Sequence, residues 1–280
     1  KAFAKDDKSK NYVQRFLDAT KSNMLFADRI VLVEGISEQI LLPCFAYLLG
    51  KEEELISKHI TIINIGGKTF NHFLKMFVNN EEHQFGLDKK VVCITDADPS
   101  KKINSKWHGV YPYELDETKD SKELSSSVAN LQIEFNEKFD NIFVCYPEAG
   151  KGKTLEYEIF RSNSKSILNF LDESIFNTGA YSYKNIRSLI DLYEKELDEM
   201  LSFCDLFKVN EKLQSLQKCN WKENEKKDAL IATILFEALG KDKGELAFNL
   251  ENNIRNNENA KDLFIVPNYI KIAIEKVLHE

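Results

Sequence analysis

Alternation between two hydrophobic periodicities constrains this chain more than any other feature. Four short runs, near 29–33, 60–65, 90–95 and 141–146, are rich in β-branched and apolar residues and have the length of buried strands. Between and beside them, apolar residues recur at helical spacing. Residues 37–49 place Ile40, Leu41, Cys44, Leu48 and Leu49 on one broad stripe, and 70–78 and 123–138 read as helices too. Strands that alternate with helices need crossover connections, and crossovers give a parallel sheet covered on both faces. The expected fold is α/β, with a mostly parallel sheet flanked by helices.

Beyond about residue 155 the strand signal stops. Helical patterns near 166–173, 185–204, 223–239, 245–255 and 268–279 imply an additional helical subdomain, while 11–21 reads as a lead-in helix and 99–121 as a long polar loop. The expected division is a lead-in helix or linker over 1–24, an α/β core over 25–162, a helical subdomain over 163–240 and a C-terminal helical segment over 241–280. A chain of 280 residues, 43% hydrophobic, has enough apolar surface for a substantial core.

Several classes of protein are excluded by composition. The longest apolar runs, 30–33 and 40–44, fall far short of the roughly 18–20 residues that cross a bilayer, so no membrane span is expected. Residues 1–10 are charged and lead into no apolar segment, unlike a signal peptide, and Lys1 in place of Met is what a piece of a longer chain would show. Five widely spaced cysteines in apolar surroundings suit reduced core residues and a cytoplasmic location. A net charge of −7 argues against gripping nucleic acid through an overall basic surface. Carboxylates that hold divalent cations invert the local field, however, so nucleic acid stays open as a partner.

Acidic residues gather where the expected strands end. Glu34 closes the first run, Gly35 is read as permitting a tight reversal, and Glu38 falls in the first turn of the next helix, where an acid also suits the helix dipole. Asp96 and Asp98 follow the third run, and two-residue periodicity sends both to the same side. Like charges so close raise each other's pKa unless a cation compensates, although an acidic pair before Pro99 also suits an ordinary turn. Glu156 opens a helix after the fourth run. Sites in open parallel sheets form beyond the carboxyl ends of the strands, so these acids are expected to converge. Such an oxygen-only set suits Mg²⁺ or Mn²⁺, two ions of which serve phosphodiester cleavage. The five histidines show no ligand spacing and read as surface residues.

The Glu34-Gly35 turn, with its second acid one place late at Glu38, and the later Asp96-x-Asp98 pair resemble the Toprim signature of topoisomerases, bacterial primases and several nucleases. The stretch from Phe26-Ala27-Asp28 to Val33-Glu34-Gly35-Ile36-Ser37-Glu38 resembles more narrowly the OLD (overcoming lysogenization defect) family of endonucleases. That family's Leu-Glu pair after the last core strand is matched by Leu155-Glu156, and its Lys-Gly-x-x-Ala segment by Lys243-Gly244-Glu245-Leu246-Ala247. Pro99 and Ser100 stand where topoisomerases commonly continue with a third acid, and no primase zinc module is present. The resemblance implies a Toprim catalytic region in which Glu34, Glu38, Asp96, Asp98 and Glu156 hold two Mg²⁺ or Mn²⁺ ions. Glu34 would also be catalytic, and Lys243 would stabilise charge developing on the phosphate, although Lys241 and Lys243 equally suit an exposed charged turn. It also implies an ATP-regulated DNA endonuclease or nickase, a homo-oligomer with an upstream ATPase domain, serving in phage defence or repair.

Basic residues supply candidate DNA contacts. Lys151 and Lys153 flank a loop beside the expected site, and Lys101 and Lys102 belong to a segment that also carries Lys106, Trp107, His108, Tyr111 and Tyr113. Those aromatics equally suit a surface insertion packed on its own domain. Gly152-Lys153-Thr154 sits between a strand and a helix, as a phosphate-binding loop does, but the glycine needed five positions earlier is Pro147, which has no N–H to offer. A P-loop-like NTPase and a non-catalytic regulatory or DNA-binding Toprim module are the two alternative functions.

Overall fold

A computed structural model describes residues 10, 23–78, 86–115, 121–122, 126–136 and 138–279. The expected lead-in helix over 11–21 lies outside the described residues. Strands among them are β1 (Arg29–Val33), β2 (Ile60–Asn64), β3 (Lys90–Ile94), β4 (Ser100–Ile103), β5 (Lys106–Gly109), β6 (Ser121–Lys122) and β7 (Ile142–Cys145). The chain divides into two compact units, each discontinuous in sequence: 1–96 with 126–146 and 268–280, and 97–125 with 147–267.

In the first unit the four expected strands form one sheet in the order β2-β1-β3-β7, and every pairing is parallel. Register sets what leaves the sheet together. Arg29 lies opposite Ile60 and Lys90, and Val33 opposite Asn64 and Ile94, so Glu34 and Thr95 follow at the same level. One face of the sheet carries Ile30, Leu32, Ile63, Val91, Cys93 and Ile142, packed with Phe70 and Phe73 of helix Phe70–Leu74 and with Leu131 of helix Ser126–Leu131. Val31, Val33, Val92 and Ile94, which alternate to the other face, are buried too. On that side helix Ile36–Leu48 and helix Asn268–Leu278 pack on the sheet and on each other. Burial on both faces explains why these strands read as continuous apolar runs.

The last helix ends on a set of cations from the amino ends of the strands. Arg29 donates to the carbonyls of Val277, Leu278 and His279 at 2.7, 2.7 and 2.8 Å, Lys58 to that of Leu278 at 2.5 Å, and Lys90 to that of His279 at 2.7 Å. Carbonyls of a final helical turn have no intrahelical partner, and positive charge there also complements the helix dipole.

The second unit is built around helix Glu223–Leu239, which packs on helix Leu155–Ser162. Ala229 to Leu235 are all buried, so this helix is apolar around its circumference because neighbours cover it on every side. Three expectations are corrected. The segment 166–173 is not one helix: a single 3-10 turn, Ile167–Phe170, ends at Leu171, whose backbone is extended (φ −125°, ψ 126°), and a second 3-10 turn begins at Glu173. The segment 185–204 is two helices, Tyr183–Asp191 and Leu197–Phe203, separated by turns over 192–195 and by Glu196, whose extended backbone (φ −64°, ψ 149°) precedes the second helix. The segment 99–121 is more than a polar loop: β4, β5 and β6 form an antiparallel sheet in the order β5-β4-β6. Its β4–β5 hairpin turns at Asn104 (φ 49°) and Ser105 (φ 65°), both left-handed, as a two-residue turn matched to strand twist requires. Helix Asn210–Lys218 was not evident from periodicity. All five cysteines are free thiols, and no helix among the described residues is long and apolar enough to cross a membrane.

Candidate metal centre

At the carboxyl ends of β1 and β3 three carboxylates meet. Glu34, Asp96 and Asp98 each offer an oxygen, and these oxygens lie within 4.8 Å of one another. Parallel register delivers Glu34 and Thr95 side by side, and the Thr95 hydroxyl donates to Glu34 Oε2 at 3.1 Å. Thr95 carried no sequence signal beyond its place between the strand and Asp96. The Asp96–Asp98 pair comes together through a turn, not through continued strand alternation. β3 ends at Ile94, Asp98 has a left-handed backbone (φ 45°), and the N–H groups of Ala97 and Asp98 donate to the Lys153 carbonyl at 2.8 and 3.3 Å.

Two like charges 4.8 Å apart repel by about 3 kcal/mol at the effective dielectric of a protein surface. Asp96 is buried, which sharpens that cost. Oxygen donors alone, with no imidazole or thiolate, are the set a hard divalent cation such as Mg²⁺ or Mn²⁺ takes. The residues fit such an ion.

Glu38 and Glu156 stand outside that cluster. Buried Glu38 turns back on its own helix, where its Oε2 accepts the Gly35 N–H at 3.1 Å. Gly35 itself has an extended backbone (φ −141°) open to any residue; what favours glycine is space, since a Cβ there would lie 3.2 Å from that carboxylate oxygen. Helix Leu155–Ser162 is started by Thr154, whose hydroxyl accepts the Tyr157 N–H at 3.4 Å, and this places Glu156 in its first turn. Glu156 is buried, and its Oε2 lies at ion-pair distance, 3.0 Å, from Lys243 Nζ.

Residues 25–98 match the family described as overcoming lysogenization defect protein-like, TOPRIM domain. This segment is an OLD-like Toprim domain. It contains Glu34, Glu38, Asp96 and Asp98. The chain is also similar to the endonuclease GajA of Bacillus cereus (strain VD045), with 29% identity over 171 residues, 59% of this chain and 26% of that protein. The match thus spans about a quarter of that relative's length. Among solved structures, it is similar to the C-terminal region of the Xanthomonas campestris pv. campestris OLD protein (22% identity, TM-score 0.42, 90% of this chain and 95% of that chain). A second is the C-terminal region of the Burkholderia pseudomallei OLD protein (18%, TM-score 0.42, 90% and 99%).

Downstream of the Toprim domain, the candidate DNA-contacting lysines have structural partners. Lys153 Nζ donates to the Val110 carbonyl at 2.8 Å and lies 5.0 Å from the Tyr111 ring centre. Lys151 pairs with Glu225 at 2.7 Å, and the hydrogen bond from that pair raises the lysine's pKa. Lys101 donates to the Glu114 carbonyl at 3.4 Å, and Lys102 is exposed on β4. In the loop 148–152 the N–H groups of Lys151 and Gly152 donate to the Glu148 carbonyl at 3.1 and 2.6 Å, and Gly152 packs so tightly that a Cβ there would lie 2.3 Å from Pro147 Cβ. Tyr111 and Tyr113 are buried and stacked, with ring centres 5.5 Å apart. Their hydroxyls reach Glu237 at 2.7 Å and Thr233 at 2.9 Å, so these aromatics anchor the insertion to the central helix.

Proposed function

We propose that this chain is the catalytic region of a metal-dependent DNA endonuclease that nicks or cuts DNA by hydrolysing phosphodiester bonds. The convergence of Glu34, Asp96 and Asp98 within 4.8 Å carries the reading, inside a domain of the OLD-like Toprim type. Similarity to a protein named as an endonuclease supports the same class. Bound Mg²⁺ or Mn²⁺ would activate water and stabilise the leaving oxygen.

In this reading the three carboxylates would hold the ions, and Thr95 orients Glu34 by donating to its Oε2. Glu38 and Glu156, which here accept the Gly35 N–H and pair with Lys243, would turn from those partners to complete a ligand set for two ions, and Lys243 would then stabilise negative charge on the scissile phosphate. Lys101, Lys102, Lys151 and Lys153 contribute to holding the DNA backbone. The catalytic core extends over 25–162, with helical segments over 163–240 and 241–280. An upstream ATPase domain, homo-oligomerisation, a cytoplasmic setting and a role in phage defence belong to the same reading.

The test is cleavage of supercoiled plasmid with Mg²⁺ or Mn²⁺, alongside Mn²⁺ binding followed by calorimetry. Glu34→Ala and Asp96→Ala, each with an unchanged circular dichroism spectrum, are expected to lose both cleavage and Mn²⁺ binding. Cleavage that survives both substitutions overturns the reading.

A further inference from the structure

The second unit contains a cavity of about 800 Å³, within the range of clefts that bind organic ligands. Lys101, Lys151, Lys218, Ser215, Asn220 and Trp221 contribute to its wall. Three lysines and one carboxylate, Glu114, line it; Lys151 is paired with Glu225 at 2.7 Å and lies 3.8 Å from Glu148, so Lys101 and Lys218 carry the positive charge open to a ligand. Glu114 is committed to the backbone, where its Oε2 accepts the Tyr111 N–H at 2.7 Å. Lys101 and Lys151 are held in place by the Glu114 carbonyl and by Glu225. Lys218, in the last turn of helix Asn210–Lys218, is exposed and makes no ion pair among the described residues, so its charge is available to a ligand.

The aromatic part of the wall is preorganised. Tyr113 meets the Trp221 ring edge-to-face, with centres 6.2 Å apart and planes at 84°, and is itself fixed by its stack on Tyr111 and its hydrogen bond with Thr233. An indole held in this way beside lysines offers a base a stacking partner and its phosphate a counter-charge. The ring faces of bases are hidden in a duplex and exposed only in an unpaired strand.

We propose that this cavity binds an unpaired segment of a DNA strand, with a base against Trp221 and its phosphates beside Lys218 and Lys101. The proposal rests on the reading of DNA as substrate and adds that the enzyme engages DNA with a locally single-stranded element. Ser215 and Asn220 supply hydrogen-bonding groups for base edges without imposing one sequence.

The chain has two tryptophans, Trp107 and Trp221, so in a Trp107→Phe background the indole fluorescence reports on the cavity. A short oligothymidylate, titrated in EDTA so that nothing is cut, is expected to quench that fluorescence saturably, and more weakly as salt rises. Lys218→Ala, measured by the same quench, and Trp221→Ala, measured by anisotropy of labelled oligothymidylate, should each weaken binding about tenfold. Trp221→Phe should recover part of the loss, and a blunt duplex of equal length should leave the indole unquenched. Undetectable oligothymidylate binding, equal quenching by the duplex, or unchanged affinity in both Lys218→Ala and Trp221→Ala would overturn the proposal. Failure of the nuclease reading looks different: the quench would persist in a chain that binds no Mn²⁺ and cuts no plasmid.

Discussion

Lys243 Nζ lies 3.0 Å from Oε2 of Glu156, a carboxylate that is only 2% exposed, although 87 residues separate the two in sequence. A buried carboxylate that loses its cation is costly, but Lys243 is 43% exposed and water screens part of the interaction. Lys243→Ala should lower stability by about 1–2 kcal/mol, read as the urea midpoint. Lys243→Arg should restore most of it, and adding Glu156→Gln to Lys243→Ala should recover part. An unchanged midpoint in Lys243→Ala would show that the pair contributes nothing to folding.

Repulsion among Glu34, Asp96 and Asp98 makes a second prediction. Asp96→Asn should stabilise the metal-free protein, because one charge of the cluster is removed. In the unmodified protein, Mn²⁺ at about a hundredfold excess over its dissociation constant should add roughly 2.7 kcal/mol, reversed by EDTA. The same addition to Asp96→Asn should raise the melting temperature little or not at all. Equal Mn²⁺ shifts in the two proteins would place the ion elsewhere.

Gly152 lies tight against Pro147. A Cβ there would lie 2.3 Å from Pro147 Cβ and 2.9 Å from its carbonyl carbon, and neither can swing aside as a flexible side chain would. Gly152→Ala should therefore cost about 1–3 kcal/mol through forced backbone displacement. Denaturant unfolding tests it, and a variant as stable as the parent would mean that the loop has room.

The Tyr111–Glu237 bond predicts a pH dependence. Burial alone would raise the Glu237 pKa, but hydrogen bonds from Lys212 and Tyr111 outweigh it and hold the group below its ordinary 4.5. A lowered folded pKa contributes stability that is present above 4.5 and lost as pH falls through the folded value. Tyr111→Phe should cost about 1 kcal/mol near neutrality. That difference should shrink below pH 4.5; a gap constant from pH 7 to pH 3 would assign the loss to packing instead.

Much of the first unit was legible residue by residue. The runs at 29–33, 60–65, 90–95 and 141–146 became β1, β2, β3 and β7 within a residue at each end, because the central strands β1 and β3, buried on both faces, must be apolar and the edge strands β2 and β7 are rich in β-branched residues. Less was legible where local signals are weak. The β4–β5 hairpin turns on Asn104-Ser105 without the usual glycine, and the break in 185–204 falls over 192–196, which holds neither glycine nor proline.

The sequence by itself determined the parallel α/β core and the placing of Glu34, Asp96 and Asp98 just beyond strand ends, since both follow from short-range periodicity and burial. Only the tertiary structure decided which acids meet. Register set Glu34 beside Thr95, and the left-handed turn at Asp98 accompanied the closing of the cluster, whereas Glu38 went to the Gly35 N–H and Glu156 to Lys243. Distances between side chains far apart in sequence are set by packing and by how buried charge finds a partner, and neither is written in any local stretch of residues.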